Sequence, residues 1–177
     1  MELKETKYVP GLLKIIDEVI SNSCDEYRRK DNLGLNELCV TISKNGKVNI
    51  KDNGGIPVVH HKEAGCYLPE FIFGMLRTSS NYNDDEDRTG IGTNGLGIKI
   101  ANIFSTDFSV KTADNKNEIS VIWKDNMKTV ISHGTPSKSN KHFTEINFNI
   151  DFSRFDIDEL SDEFIDIIEK RCIDAAA

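Results

Sequence analysis

The chain has little of what would take it out of an ordinary folded, water-soluble class. No apolar run approaches the ~18 residues a membrane span needs. The opening Met1-Glu2-Leu3-Lys4-Glu5 is charged where a secretory signal would carry an apolar core. Cys24, Cys39, Cys66 and Cys172 are scattered, with no Cys-x-x-Cys pair and no His at zinc-ligand spacing, so they read as reduced thiols. Positive charge is also scarce: 22 Lys and Arg against 29 Asp and Glu leave a net charge of −7. An acidic chain does not grip a phosphate backbone by bulk charge. If nucleic acid matters to this protein, another domain or subunit is expected to hold most of it. The adjacent His60-His61 reads as a surface-loop feature, since neighbouring residues on a helix or strand point in different directions. These absences imply an intracellular protein with no membrane partner.

What is present is one domain's worth of amphipathic pattern. Of 177 residues, 38% are hydrophobic and 29% charged, enough to build a core without staples. Leu12, Leu13, Ile16, Val19, Ile20 and Tyr27 recur at helical spacing and predict a helix over about Gly11–Arg29. Leu38–Ser43 and Lys47–Ile50 read as strands joined through Asn45-Gly46, a hairpin signal. Pro69 is placed to open a second helix carrying Phe71, Ile72, Met75 and Leu76. Ile98, Ile100, Ala101, Ile103 and Phe104 suggest a third. The second half reads as a meander through Phe108–Lys111, Glu118–Trp123, Thr129–Ser132 and Phe143–Asn149, then a helix over about Asp158–Cys172. The fold class expected is α+β: a two-layer sandwich, its sheet mixed but mostly antiparallel, with helices on one face.

Chemistry concentrates in three places. Gly90, Gly92, Gly95 and Gly97 lie close together and are followed by Lys99. Glycine lets backbone N–H groups approach an anion, which suits phosphates. The same run satisfies Gly-x-Gly-x-x-Gly, but the acidic Asn83–Arg88 before it is no strand, and no Gly-Lys-Ser/Thr closes it. Context thus argues against both a dinucleotide fingerprint and a Walker loop. On the first helix, Glu18, Asn22 and Asp25 share one polar face. Asn22 offers a neutral oxygen of the kind Mg²⁺ prefers, and Glu18 is placed to take a proton from an attacking water. Third, Asp52-Asn53-Gly54-Gly55-Ile56-Pro57 follows a strand. Asp52 there can accept a hydrogen bond from an adenine amino group, with the glycines giving room for a flat base.

Taken in this order, Glu-x-x-x-Asn, Asp-x-Gly and the glycine loop resemble the Bergerat or GHKL nucleotide-binding fold. The runs Tyr8-Val9-Pro10-Gly11-Leu12, Ile16-Asp17-Glu18, Gly54-Gly55-Ile56-Pro57-Val58-Val59, Thr78-Ser79-Ser80-Asn81-Tyr82, Gly92-Thr93-Asn94-Gly95-Leu96-Gly97 and Asn102-Ile103-Phe104-Ser105 narrow the likeness. They are similar to the ATPase domain of type IIA DNA topoisomerases, closer to the eukaryotic and viral enzymes than to the bacterial gyrase B subunit. The likeness runs from Tyr8 through the last helix.

The resemblance implies ATP and Mg²⁺ as ligands. It implies Glu18 as general base and Asn22 as magnesium ligand. It implies Asp52 as adenine contact, with a water shared by Thr144, and Ile56 beside it. Ser79, Ser80 and Asn81 would touch ribose and phosphates. Gly90, Gly92, Thr93, Asn94, Gly95, Leu96, Gly97 and Lys99 would cradle the phosphates. The chain as a whole, 1–177, would be one GHKL ATPase domain, working in an ATP-dependent homodimer whose other domains bind and cleave DNA, in a host cytoplasm if viral or a nucleus if eukaryotic. Without the transducer lysine and the cleavage core of the family, hydrolysis in this chain alone is expected to be slow. Two departures stand out: Gly54 and Gly55 are adjacent where the family writes Asp-x-Gly-x-Gly-Ile-Pro, and Ile91 replaces a glycine. The alternative reading is a nucleotide-dependent GHKL switch of chaperone, mismatch-repair or chromatin type.

Overall fold

A computed structural model describes residues 8–28, 34–75 and 97–176. The first helix, α1, spans Pro10–Arg28. Proline suits its first position, because the N–H it lacks would have no helical partner there. The carbonyl of Val9 receives the amides of Leu12 and Leu13 and so starts the helix. The buried stripe is Leu12, Ile15, Ile16, Val19, Ile20 and Ser23. Tyr27, expected in that stripe, is 58% exposed. The polar Ser23 closes the stripe in its place.

Strands β1 (Leu38–Ile42) and β2 (Lys47–Asp52) form the expected hairpin through Asn45-Gly46, with Gly46 at φ +82°. His60-His61 is not a loop but a short strand, β3, paired with β4 (Cys66–Tyr67). The His61 ring stacks on Phe71 at 4.4 Å, so aromatic packing holds this small hairpin on the next helix. That helix, α2, spans Leu68–Gly74 with Pro69 in its first turn, and Met75 caps it instead of continuing it. Helix α3 is Gly97–Ile103. Strands β5 (Ser105–Asp114), β6 (Asn117–Lys124), β7 (Thr129–Ser132), β8 (Ser137–Lys138) and β9 (His142–Ile150) follow. The final helix, α4, spans Asp162–Ala176. It begins later than the periodicity suggested because the Ser161 hydroxyl caps it, accepting from the Phe164 amide.

The main sheet runs β1-β2-β9-β5-β6-β7, with β8 also on β6, and every pairing among the described residues is antiparallel. The last strand in the chain, β9, inserts at the centre between β2 and β5. One sheet face carries Val48, Ile50, Phe108, Val110, Val121, Trp123, Ile146 and Phe148, all buried. The helices cover it with the α1 stripe, Phe73, Ile98, Ala101, Phe164 and Ile168. Polar groups line the other face, where Asn49 donates to both Glu145 and Asn147. The expected two-layer α+β architecture is what the chain adopts. All four cysteines are free thiols, and no described helix is long and apolar enough to cross a membrane.

At the middle of the core, the Phe108 ring meets Trp123, Phe73 and Phe148 at 5.8, 5.9 and 6.0 Å between centroids. Phe108 is 1% exposed, so truncation leaves a cavity that rigid neighbours cannot fill. We expect Phe108→Ala to lower unfolding free energy by about 3–5 kcal/mol in a urea titration. A loss below about 1 kcal/mol would mean that this ring is not a core anchor.

Candidate functional site

Register builds the first half of the site. Asp52 at the end of β2 lies opposite Thr144 of β9, and Thr144 lies opposite Thr112 of β5. Three polar side chains thus form a row across three adjacent strands on the helix-covered face. They are 8%, 5% and 0% exposed, in a layer otherwise filled by hydrocarbon. Burying such groups is costly unless they are hydrogen-bonded, and here they bond to one another and to the loop above them. The Thr112 and Thr144 hydroxyls are 3.0 Å apart, and Thr144 donates to the Gly54 carbonyl at 2.8 Å.

Asp52 is held at both oxygens. Ser23, at the end of the α1 stripe, donates its hydroxyl to Oδ2 at 2.6 Å, and the Gly54 amide donates to Oδ1 at 2.9 Å. Burial pushes the Asp52 carboxyl above its ordinary value, and the bonds from Ser23 and Gly54 only partly offset that.

The loop after Asp52 is specified amide by amide. Asn53 N–H goes to the Glu37 carbonyl, and Gly55 N–H to His142 Nε2 at 3.2 Å. Ile56 N–H goes to the Thr112 hydroxyl at 2.9 Å, and Val58 N–H to Asp114 Oδ2 at 2.8 Å. Burial raises the Asp114 carboxyl, but the amides of Val58, Asn117 and Lys116 outweigh it and hold the group below its ordinary value. Asn53 also reaches sideways: its Oδ1 accepts from the amides of Asn36 and Glu37, and its Nδ2 donates to Asn36 Oδ1. A Cβ on Gly55 would strike the Ala113 carbonyl and the His142 ring, so this position admits glycine alone.

The second half lies one and a half turns back along α1. Glu18 sits against the start of α3, so close that a Cβ on Gly97 would run into its carboxylate. Lys14 Nζ lies 2.7 Å from Glu18 Oε1. The Asn22 Nδ2 donates to the Glu18 carbonyl, which turns the oxygen end of that carboxamide outward from the helix backbone. With 1.5 Å rise per residue, Glu18 and Ser23 are about 7–8 Å apart along the helix axis. One helix therefore joins the Asp52 row to the start of α3. Its pitch is pinned from outside by Arg171 of α4, which donates to the Asp17 carboxylate and to the Ser21 hydroxyl.

Of the residues expected from sequence, the structure brings Asp52, Ile56 and Thr144 together at one end, and Glu18, Asn22 and Gly97 near α3. Lys99 is 4% exposed on α3, its ammonium 6.0 Å from the Phe71 ring centre. Ser79, Ser80, Asn81, Gly90, Gly92, Thr93, Asn94, Gly95 and Leu96 lie outside the described residues. Sequence reasoning missed Ser23, Thr112, His142 and Asp114. The legible signal was a polar residue at an inward strand position, as in Val110-x-Thr112, or ending an apolar helical stripe, as Ser23 does. Ser23, Asp52, Asn53 and His142 line one cleft.

No protein-family model matches the chain. It is 38% identical to DNA topoisomerase 2 of Caenorhabditis elegans over 179 residues, which are 99% of this chain and 12% of that protein. It is 39% identical to DNA topoisomerase 2-alpha of Rattus norvegicus over 176 residues, 98% of this chain and 11% of the relative. Among solved structures it is similar to the ATPase region of Saccharomyces cerevisiae topoisomerase II, with a TM-score of 0.86 and 34% identity over 97% of this chain and 46% of that one. The ATPase and transducer domains of DNA topoisomerase II from Balamuthia mandrillaris give 0.85 and 35% over 96% and 45%. The chain spans about an eighth of the length of these curated relatives.

The raised Asp52 carboxyl has a consequence for stability. A folded-state value above the ordinary 3.8 means that Asp52's contribution is full below the unfolded value and declines as pH rises through the folded one. Asp52→Asn keeps the shape and can keep both bonds, since a serine hydroxyl also accepts. We expect the variant to gain on wild type in thermal melts between pH 4 and pH 7. A gain in the opposite sense would show that the carboxylate is better solvated in the fold than in water.

Proposed function

Because the chain belongs to the family of type II DNA topoisomerase ATPase regions, we propose that it binds ATP with Mg²⁺ and, within its parent enzyme, hydrolyses it to drive DNA strand passage. The single observation carrying this reading is the Asp52 row. A buried carboxylate, held by the Ser23 hydroxyl and the backbone amides of Gly54 and Thr144, keeps acceptor capacity for one more donor in the adjoining cleft. The adenine 6-amino group is such a donor. Thr144, beside Asp52, can accept from a bridging water through a remaining lone pair, its own proton being engaged by Gly54.

Glu18 is proposed as the general base, taking the proton from the water that attacks the terminal phosphate. Lys14 pairs with one carboxylate oxygen and Gly97 packs against the other, and it is this second oxygen that is proposed to meet the water at the start of α3. The residues present fit a magnesium ion: the carboxamide oxygen of Asn22, whose nitrogen is held by the Glu18 carbonyl, is a hard, neutral donor, and a single protein ligand is normal where phosphates and waters complete the shell. When bound, the ion neutralises charge developing on the phosphates. Gly97, whose missing side chain lets α3 approach Glu18, belongs with the glycines proposed to wrap the phosphates. The nucleotide then bridges the base end and the phosphate end along α1. In the parent enzyme, DNA is assigned to other domains, and closure of two ATPase regions on nucleotide is the proposed coupling step. Alone, this chain is expected to bind ATP while turning it over slowly.

Calorimetric titration with a non-hydrolysable ATP analogue, with and without Mg²⁺, tests the reading. Wild type should bind, more tightly with the ion. Asp52→Ala should weaken binding at least about tenfold, the value of a lost charge-assisted hydrogen bond. Glu18→Ala should bind within about threefold of wild type while abolishing hydrolysis in the full-length enzyme, as expected of a group acting on the reacting water. Equal affinities of wild type and Asp52→Ala would displace the adenine from Asp52.

A further inference from the structure

The His142 imidazole closes a ring of contacts that the nucleotide chemistry does not itself require. His142 opens β9, two residues before Thr144, and reaches over to the loop after Asp52. Its Nε2 lies 3.2 Å from the Gly55 amide nitrogen and its Nδ1 lies 2.8 Å from the Asn53 carbonyl oxygen. A backbone N–H can only donate and a carbonyl can only accept. Nε2 must therefore be the bare nitrogen and Nδ1 must carry the proton, which makes the ring a neutral imidazole of one defined tautomer. The two contacts bracket Gly54, whose amide caps Asp52 and whose carbonyl receives Thr144. The ring thus fixes the backbone on both sides of a residue that touches both Asp52 and Thr144.

We infer that His142 is a positioning residue for the adenine end of the site, and that its protonation loosens the loop and weakens nucleotide binding. This rests on the nucleotide reading above, which deepens to include a pH-sensitive step. An imidazolium has two donors and no acceptor. On protonation the Gly55 N–H would face another N–H, so the clamp converts from two attractive contacts to one attractive and one repulsive. Gly55 cannot escape by rotating inward, because the Ala113 carbonyl and the ring itself fill the space where a Cβ would stand. Movement of Gly55 away from the ring carries Gly54 with it, and with Gly54 the amide that caps Asp52.

The ionisable groups of the surrounding segments are Lys51 and Asp52 on β2, Glu37 ahead of β1, Lys111 and Asp114 on β5, and Lys141 and Glu145 to either side of His142. Asp114 is the cross-strand partner of His142, but it is occupied by the amides of Val58, Lys116 and Asn117. Asp52 is engaged by Ser23 and Gly54. Both carboxylates are committed to these partners, so the switch acts through the two backbone contacts of the ring.

Two measurements on the 177-residue chain test this. Nitrogen-15 NMR of the histidines, without nucleotide, should show His142 as the Nδ1–H tautomer at neutral pH. Titration with the ATP analogue from pH 8 to pH 5.5 should show affinity falling about tenfold with the midpoint at which the His142 signals titrate, the scale of one lost hydrogen bond. His142→Gln supplies a donor and an acceptor that do not titrate. It should bind within about threefold of wild type at pH 8 and lose the pH dependence. His142→Leu should bind at least about tenfold more weakly at every pH, with circular dichroism confirming that it folds. An Nε2–H tautomer, a pH dependence that survives in His142→Gln, or a folded His142→Leu that binds like wild type would each overturn the clamp. If wild type shows the expected tautomer yet binds no nucleotide at any pH, the nucleotide reading and the affinity claim fall together while the clamp geometry stands.

Discussion

The structure turns on a carboxylate kept in a place where carboxylates are expensive. Asp52 ends β2 on the face that the rest of the sheet devotes to hydrocarbon, and its burial is tolerated because α1, the loop and β9 each bring a polar group to it or beside it. Each of those groups comes from a different part of the chain. Ser23 requires α1 to lie across the sheet with its apolar stripe down. Thr144 requires β9, the last strand made, to insert between β2 and β5 in one register. A slip of one residue in either pairing would turn Thr144 outward and leave Asp52 without its neighbour. The apolar core enforces the same register, since Ile146 and Phe148 follow Thr144 at the inward positions. Core packing and site assembly are therefore one constraint.

The loop after Asp52 is rigid by the same economy. Every amide it has to offer from Asn53 to Val58 finds an acceptor, and those acceptors lie on the segment before β1, on Asp52 itself, and on β5 and β9. A single such bond stabilises by about 1 kcal/mol, while an amide buried without a partner costs about 1–3 kcal/mol. Few alternative loop conformations satisfy all the donors at once. A preformed edge of this kind is suited to a flat, rigid ligand that gains little from induced fit. The opposite end differs. Glu18 and Asn22 stand on a helix surface, and their geometry depends on how closely α3 approaches through Gly97. The two ends share α1, and Arg171 of α4 steadies that helix through Asp17 and Ser21.

Much of this was legible in the residues alone. Helical periodicity found α1 and placed Glu18 and Asn22 on one face. Asn45-Gly46 fixed the first hairpin, and Asp52 stood out as an acid at a strand end before two glycines. The carried-over Thr144 falls beside Asp52 in the sheet. What was not legible depends on tertiary pairing. Thr112 and His142 gain their roles from register with β9 and from a loop distant in sequence, which no local pattern reports. Ser23 could have been found: it falls at the next stripe position after Val19 and Ile20, where an apolar residue was due, and Tyr27 took its place in the reading. His60-His61 went astray because aromatic stacking on Phe71, not local turn chemistry, makes that hairpin. Helix α4 was begun too early because the acidic residues before Leu160 look like a first turn until Ser161 is recognised as the cap.

The most direct measurement of the central claim compares two nucleotides that differ at the atom Asp52 is assigned to hold. Inosine triphosphate replaces the 6-amino group of ATP with a carbonyl, an acceptor facing a carboxylate. If the Asp52 row recognises the base, wild type binds the non-hydrolysable ATP analogue more than about tenfold tighter than its inosine counterpart, and Asp52→Ala erases most of that preference. If wild type binds the two equally, or if Asp52→Ala keeps the full preference, base recognition lies elsewhere and the row is a structural device alone.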